Sequence, residues 1–363
     1  MANSTRSAFE DINVDHIRFY VNDIAAAQEW LVDGYGFAVQ AGTAPSETAA
    51  EARSVGLGRG RIRLVLTEPL LNDHPGRAYV ERHGDGVADI ALRVHDATAA
   101  FNEAMSRGAR PVAPPVNHGG IVTATIMGFA DVAHTFVQRS PEAEEQPLPG
   151  LRPADDSAAP GWDSGLRDVD HFAVCLEAGQ LDPTVEFYEH LLDFEMVFTE
   201  RIVVGAQAMN SKVVQSRSGA VTLTLIEPDV SREPGQIDGF LKNHGGAGVQ
   251  HVAFTADSIV ESVGAINAAG IDFLNTPETY YSMLADRLTL SRHSVDDLRR
   301  LGILVDEDQD GQLFQIFSQS IHPQKTFFVE LIERMGAQTF GSGNIKALYE
   351  AVEAQRAQDG DAA

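Results

Sequence analysis

The chain has 363 residues, of which 44% are apolar and 22% charged: enough length for two or three domains, and too apolar for wholesale disorder. Asp and Glu outnumber Lys and Arg by 52 to 27, and the net charge of -25 argues against nucleic-acid backbones and anionic membranes as partners. Cys175 is the lone cysteine, so an intrachain disulfide is excluded and a reducing compartment fits.

The opening residues, MANSTRSAFEDINVDH, hold no apolar signal core, and no run reaches transmembrane length; a cytoplasmic protein is expected. INVDHIRFYVND, residues 12 to 23, predicts a strand, and AAAQEWLVDGYGF after it predicts an amphipathic helix. RLVLTEP (63 to 69) reads as another strand. HGDGVADIALRVHDATAAFNEAMSRGA (83 to 109) reads as a strand and a helix, and HTFVQR (134 to 139) as a closing strand. Residues 141 to 167 are rich in Pro, Gly, Asp and Glu without apolar periodicity, the composition of a linker.

After residue 167 the pattern begins again. RDVDHFAVCLEA (167 to 178) parallels 12 to 23, and PTVEFYEHLLDF supplies the helix. LTLIEP (223 to 228) parallels 63 to 69, HGGAGVQHVAFTADSIVESVGAINAAGI (244 to 271) parallels 83 to 109, and TFFVELIER (326 to 334) parallels 134 to 139. Such internal similarity predicts a duplication, with βαβββ units recurring twice in each half. The fold class is therefore α+β. The expected domains are 1 to 140, a linker at 141 to 167, and 168 to 363.

The repeat also compares the two halves chemically. Strand alternation places His171 and His251 among small apolar residues, and Glu330 beside Phe328 and Ile332 on one face. A lone carboxylate there costs several kcal/mol to bury unless a cation or donor meets it. Reading across the repeat, His171 matches His16, His251 matches Asp89 and Glu330 matches Gln138. Two imidazoles and a carboxylate are a plausible metal set, of the facial kind found in non-haem Fe(II) oxygenases; His, Asp and Gln are a poorer one. One metal site, in the second half, is expected. The plainer readings are hydrogen-bonded core histidines and a Glu330 paired with Arg334. His83 and His244, before Gly-rich turns, are expected as loop or capping residues, and His16 as a structural relic. No G-x-S-x-G or paired-Cys motif supports nucleophilic hydrolysis.

VDHFAV (169 to 174), GGAGVQHVAF (245 to 254), GQLFQIF (311 to 317) and FFVELIERMGAQTFGSGNIKALYEAVE (327 to 353) together resemble the 4-hydroxyphenylpyruvate dioxygenase family of the vicinal-oxygen-chelate superfamily. The resemblance spans nearly the whole chain and is strongest from 168 to 353. It implies two open barrel-like domains with the active site in the C-terminal one. It further implies Fe(II) held by His171, His251 and Glu330, with 4-hydroxyphenylpyruvate and dioxygen as substrates. A homodimer is an open expectation. The family's dioxygenases read P-x-N-E-P where this chain has Thr224-Leu225-Ile226-Glu227-Pro228, and G-N-F where it has Gly343-Asn344-Ile345. Thr224, Ile226, Ile345 and the stretch IVVGAQAMNSKVVQS (202 to 216) are similar to the hydroxymandelate-forming branch. Losing an amide and a ring from the pocket wall would change how the substrate ring turns towards the iron. Ser211, Thr224 and Gln315, with Gln236, are candidate polar substrate contacts; Ile226, Phe340, Asn344 and Ile345 complete the expected pocket. Residues 340 to 353 read as a lid helix after Gly341 and Gly343, and the tail beyond 354 as disordered. Homogentisate formation, ring cleavage of a catechol, and a metal-free binding module remain alternatives.

Overall fold

The computed structural model describes residues 7–43, 51–155, 161–339, 341, 343, 344 and 346. In the first half the strands are β1 (Asn13–Tyr20), β2 (Ala38–Gly42), β3 (Ala52–Arg59), β4 (Ile62–Pro69), β5 (Gly86–Arg93), β6 (Pro111–Asn117), β7 (Ile121–Met127), β8 (Ala133–Arg139) and β9 (Arg152–Pro153). In the second they are β10 (Leu166–Cys175), β11 (Glu195–Val204), β12 (Gln207–Gln215), β13 (Thr222–Pro228), β14 (Gly248–Ala256), β15 (Leu304–Glu307), β16 (Gln312–Phe317) and β17 (Phe328–Met335).

Among the described residues these form two mixed sheets of the same topology. The first runs β6-β7-β8-β5-β1-β4-β3-β2-β9 and the second β15-β16-β17-β14-β10-β13-β12-β11. In each, the leading strand lies parallel to one neighbour and antiparallel to the other: β1 with β4 and β5, β10 with β13 and β14. Each half thus contains two βαβββ units, as the repeat predicts, and the second half adds the helices Glu278–Arg287 and Val295–Leu301.

The helices follow from spacing and caps. Leu181–Leu192 buries Leu181, Val185, Tyr188 and Leu192, one stripe at helical spacing, and ends where Asp193 turns left-handed at φ 55°. Asp96 caps Ala97–Ser106 by accepting from Ala99 N at 2.9 Å, while Gln138 Oε1 accepts from Ala97 N at 3.1 Å.

One apolar core runs through both halves. The Phe19 and Phe327 rings meet edge-on at 5.2 Å, and those of Phe37 and Phe254 at 6.1 Å. Polar contacts cross the same boundary. His134 Nε2 lies 2.8 Å from the Tyr188 hydroxyl, and Arg107 Nη1 donates to Asp193 Oδ1 at 2.6 Å. His83 and His244 depart from the expected turn positions. They end the helices Pro75–His83 and Gln236–His244, are 1% and 3% exposed, and stack on each other at 4.3 Å. After β8, residues 141 to 153 lie along the first sheet: Arg139 donates to the carbonyls of Ala143 and Gln146, and β9 pairs with β2. No helix among the described residues is long and apolar enough to cross a membrane.

Candidate metal centre

Strand register brings the three distant candidate ligands together. β10 pairs with β14 so that Ala253 faces His171 and Ala173 faces His251. β14 pairs with β17 so that His251 sits beside Phe328 and Ala253 beside Glu330. Residues paired in this way point to one side of the sheet, so all three side chains converge on one face. A register shift between Val169 and His171 marks a bulge that re-aims this stretch of β10.

His171 and His251 are 4% and 8% exposed and Glu330 is 2% exposed. Glu330 Oε2 lies 3.3 Å from His171 Nε2 and 3.1 Å from His251 Nε2, and the three donor atoms lie within 4.8 Å of one another. Glu330 thus meets the two imidazoles, while the Arg334 guanidinium donates to Asp170. Two nitrogens and one carboxylate on one side of a buried point fit a divalent transition metal with open positions. Among the described residues no other group of His, Cys, Asp and Glu meets this geometry.

The charges in this cluster are coupled. Burial would lower the His171 pKa, but the Glu330 carboxylate and the Asp170 hydrogen bond outweigh it and push the imidazole up to about 9. His251, where burial dominates, is held below its ordinary value. Burial opposes the Glu330 charge, yet the two imidazoles pull its pKa down to about 2. A carboxylate so held is the anion a cation requires.

Behind His171 stands a relay the sequence reading missed. His171 Nδ1 lies 2.8 Å from Asp170 Oδ1, and Arg334 donates to both oxygens of Asp170, from Nε at 2.7 Å and from Nη2 at 2.8 Å. The carboxylate thereby holds a proton on Nδ1, so that a metal displacing the Nε2 proton would find the Nε2 lone pair aimed at it. The Asp-His dipeptide recurring in VDH of both halves was the available signal. His251 Nδ1 lies 3.2 Å from Gln250 Oε1, and its ring stacks on Phe328 at 4.9 Å.

The first half carries a different set at the equivalent positions. Asp89 faces Ala133 across β5 and β8, and that register puts Thr135 at the rung occupied by Glu330. This corrects the match to Gln138, which caps a helix instead. The counterpart set is His16, Asp89 and Thr135, and Thr135 donates to Asp89 from both its backbone N and its hydroxyl.

The pocket candidates divide. Val213 pairs with Thr224 and Ser211 with Ile226, while Thr224 pairs with Ala173 and Ile226 with Cys175. Thr224 thus shares a rung with Ala173 and His251. Ser211 and Ile226 occupy the next rung and, with Thr224, share its face. Gln315 lies on the Glu330 side, two residues from Phe317, which faces Glu330. Gln315 Oε1 accepts from buried Asn344 Nδ2 at 3.3 Å. Gln236 instead opens the helix Gln236–His244 beside Ile202 and Met209. Phe340, Ile345, most of the segment 340–353 and the tail beyond 354 lie outside the described residues. The described start of that segment docks on β15 and β16: Gly343 N donates to Asp306 Oδ2 at 3.0 Å. A Cβ on Gly341, at φ 66°, would strike Gln315 Oε1. Tyr280, not anticipated, donates to Asn344 Oδ1 at 3.1 Å.

Two family models, both described as Glyoxalase/Bleomycin resistance protein/Dioxygenase superfamily, match residues 15–124 and 168–316. The 4-hydroxyphenylpyruvate dioxygenase of Dictyostelium discoideum is 32% identical, covering 96% of this chain and 99% of its own. A probable 4-hydroxyphenylpyruvate dioxygenase of Aspergillus fumigatus is also 32% identical, over 97% of this chain and 95% of its own. Among solved structures, a triple mutant of 4-hydroxymandelate synthase from Streptomyces coelicolor is 41% identical with a TM-score of 0.83, covering 95% of this chain and 99% of that one. A duplicated fold with the donor set confined to its second half, and relatives that match end to end, lead to one assignment: the chain belongs to the 4-hydroxyphenylpyruvate dioxygenase family and is an Fe(II)-dependent dioxygenase.

Proposed function

We propose that the protein is a 4-hydroxymandelate synthase, converting 4-hydroxyphenylpyruvate and dioxygen to 4-hydroxymandelate and carbon dioxide. The observation that carries this reading is Ile226. On the wall facing the triad, where the family's dioxygenases carry an amide, this chain places an apolar branched side chain packed with Ile202, Met209 and Ile237. The 41% identity to a synthase structure, against 32% to the dioxygenases, supports the same choice.

His171, His251 and Glu330 are the residues that would hold Fe(II), and the metal, when bound, supplies Lewis-acid binding of the 2-oxo acid and the activation of dioxygen. The chain's own part is orientation and water exclusion. Thr224 Oγ1 is buried without a hydrogen-bond partner among the described residues, an orphaned hydroxyl on the triad's face that a substrate oxygen would satisfy. Phe317 and Phe328, against the His251 ring, provide flat apolar contact for an aromatic substrate. Ile226 cannot hydrogen-bond a phenol, so it leaves the ring free to present its benzylic carbon rather than its ring carbon. Gln315, with Asn344 and Tyr280, would set the far wall. Ser211 lies one rung from Thr224 and would add a second hydroxyl.

Aerobic incubation of the Fe(II)-loaded protein with 4-hydroxyphenylpyruvate, with chromatographic identification of the product, tests the reading. Hydroxymandelate is expected; homogentisate as the main product would reassign the chain to the dioxygenase activity.

A further inference from the structure

The face of the N-terminal sheet equivalent to the metal centre is neither filled nor apolar. It carries the same relay: His16 Nδ1 lies 2.9 Å from Asp15 Oδ1, and Arg139 donates to Asp15 from Nε at 3.0 Å and from Nη2 at 3.2 Å. Arg139 stands four residues after Thr135, as Arg334 stands four after Glu330. With Asp15 taking the Nδ1 proton, His16 Nε2 is a lone-pair acceptor. His16 is 2% exposed and its Nε2 has no partner among the described residues. Leaving a buried polar atom unmet costs about 1–3 kcal/mol. With a hydroxyl, Thr135, at the third position and no metal-ligand group there among the described residues, an occupant other than a metal fits this face.

His16 and Leu148 line two neighbouring cavities, of about 310 and 290 Å³. The first lies over Arg18, Asp89 and Thr135. Arg18 and Asp89 are paired directly across β1 and β5, yet they make no ion pair with each other or with any other described residue. Arg18 spends one donor on Thr67 Oγ1 at 3.2 Å, and Asp89 accepts only from Thr135. A cation and an anion that face one cavity from neighbouring strands, without closing an ion pair on each other, match a ligand carrying both charges. Val112, Leu148 and Pro149 supply an apolar wall, and the volume is at the small-molecule end of ligand sites.

We infer that this cavity is a second binding site, independent of iron, for a zwitterionic amino acid with an apolar side group. The carboxylate meets Arg18, the ammonium meets Asp89 and His16 Nε2, and the side group lies against Val112, Leu148 and Pro149.

Calorimetric titration of the metal-free full-length chain with L-leucine and L-phenylalanine tests this. Saturable one-to-one binding of at least one is expected. It should weaken about tenfold or more in Arg18→Met, and about as much when 3-phenylpropionate, which lacks the ammonium, replaces phenylalanine. It should persist in His251→Ala, which separates this site from the metal centre. In ¹⁵N-labelled wild-type protein the His16 Nε2 resonance should move on saturation, a readout that needs no variant to fold. Absence of saturable binding by both amino acids, unchanged binding in Arg18→Met, loss in His251→Ala, or a stationary His16 resonance would each overturn the site.

Discussion

Arg334 holds the Asp170 carboxylate in a two-point grip, and Asp170 in turn holds the Nδ1 edge of His171. The proposed metal ligand is thus aimed by a charge pair on two different strands. Asp170→Asn weakens the grip and no longer selects the tautomer. Fe(II) affinity is expected to fall about 10- to 100-fold, measured by competition with a colorimetric chelator. The equivalent Asp15→Asn in the first half should leave iron affinity unchanged while lowering stability. Equal iron affinity in wild type and Asp170→Asn would remove the relay from the account.

Ile226→Asn restores an amide to the wall one rung from Thr224. On the proposed synthase reading, part of the product should shift from hydroxymandelate to homogentisate, and the double variant with Ile345→Phe should shift it further. The check is the product ratio at full conversion of 4-hydroxyphenylpyruvate. A ratio that stays constant in both variants would show that ring rotation is governed elsewhere.

His244 introduces an acid-sensitive seam. Burial foremost, with the neighbouring His83 and Arg82 adding to it and Asp131 partly opposing, pushes its imidazole down to about 4. In the unfolded chain an imidazole protonates near pH 6.5. Between pH 6.5 and 4 the unfolded state binds the extra proton, so stability should fall as pH is lowered through that window, by on the order of 3 kcal/mol for this group. Half-buried His322, also pushed down to about 4 by desolvation, acts in the same direction. Carboxylates held low by the fold add their losses mainly below about pH 5, and His171, held up to about 9, opposes the fall only near pH 7. Urea melts of the metal-free protein at pH 7, 6 and 5 measure the slope, and His244→Gln should flatten it.

Tyr188→Phe deletes a single hydroxyl at the boundary between the halves and leaves His134 Nε2 buried without its 2.8 Å partner. The cost should be about 1–3 kcal/mol, read as a lower urea midpoint with an unchanged slope. The ring itself stays, so iron binding should not change.

Much of this molecule could be read before its fold was known, for reasons that differ by element. β1, β10, β14 and β17 announce themselves through alternation, and the repeat doubles each signal. The triad stood out because imidazoles and a carboxylate are costly on apolar strands. Two kinds of feature stayed hidden. Matching HTFVQR to TFFVELIER by letter placed Gln138 against Glu330, whereas hydrogen-bond register moves the match by three residues to Thr135. Partnerships made only by packing were the other kind: Arg334 with Asp170 across 164 residues, and His83 against His244 between the halves. Nothing local to either residue encodes these contacts.

The apolar interior continuous from Phe9 to Leu331 bears on how such a duplication ages. Once two copies of a module bury one another, the idle copy becomes a wall of the working one and can no longer be discarded. Selection is then free to erode its chemistry while holding its shape, and a vacated pocket inside an indispensable wall is ready material for a different ligand.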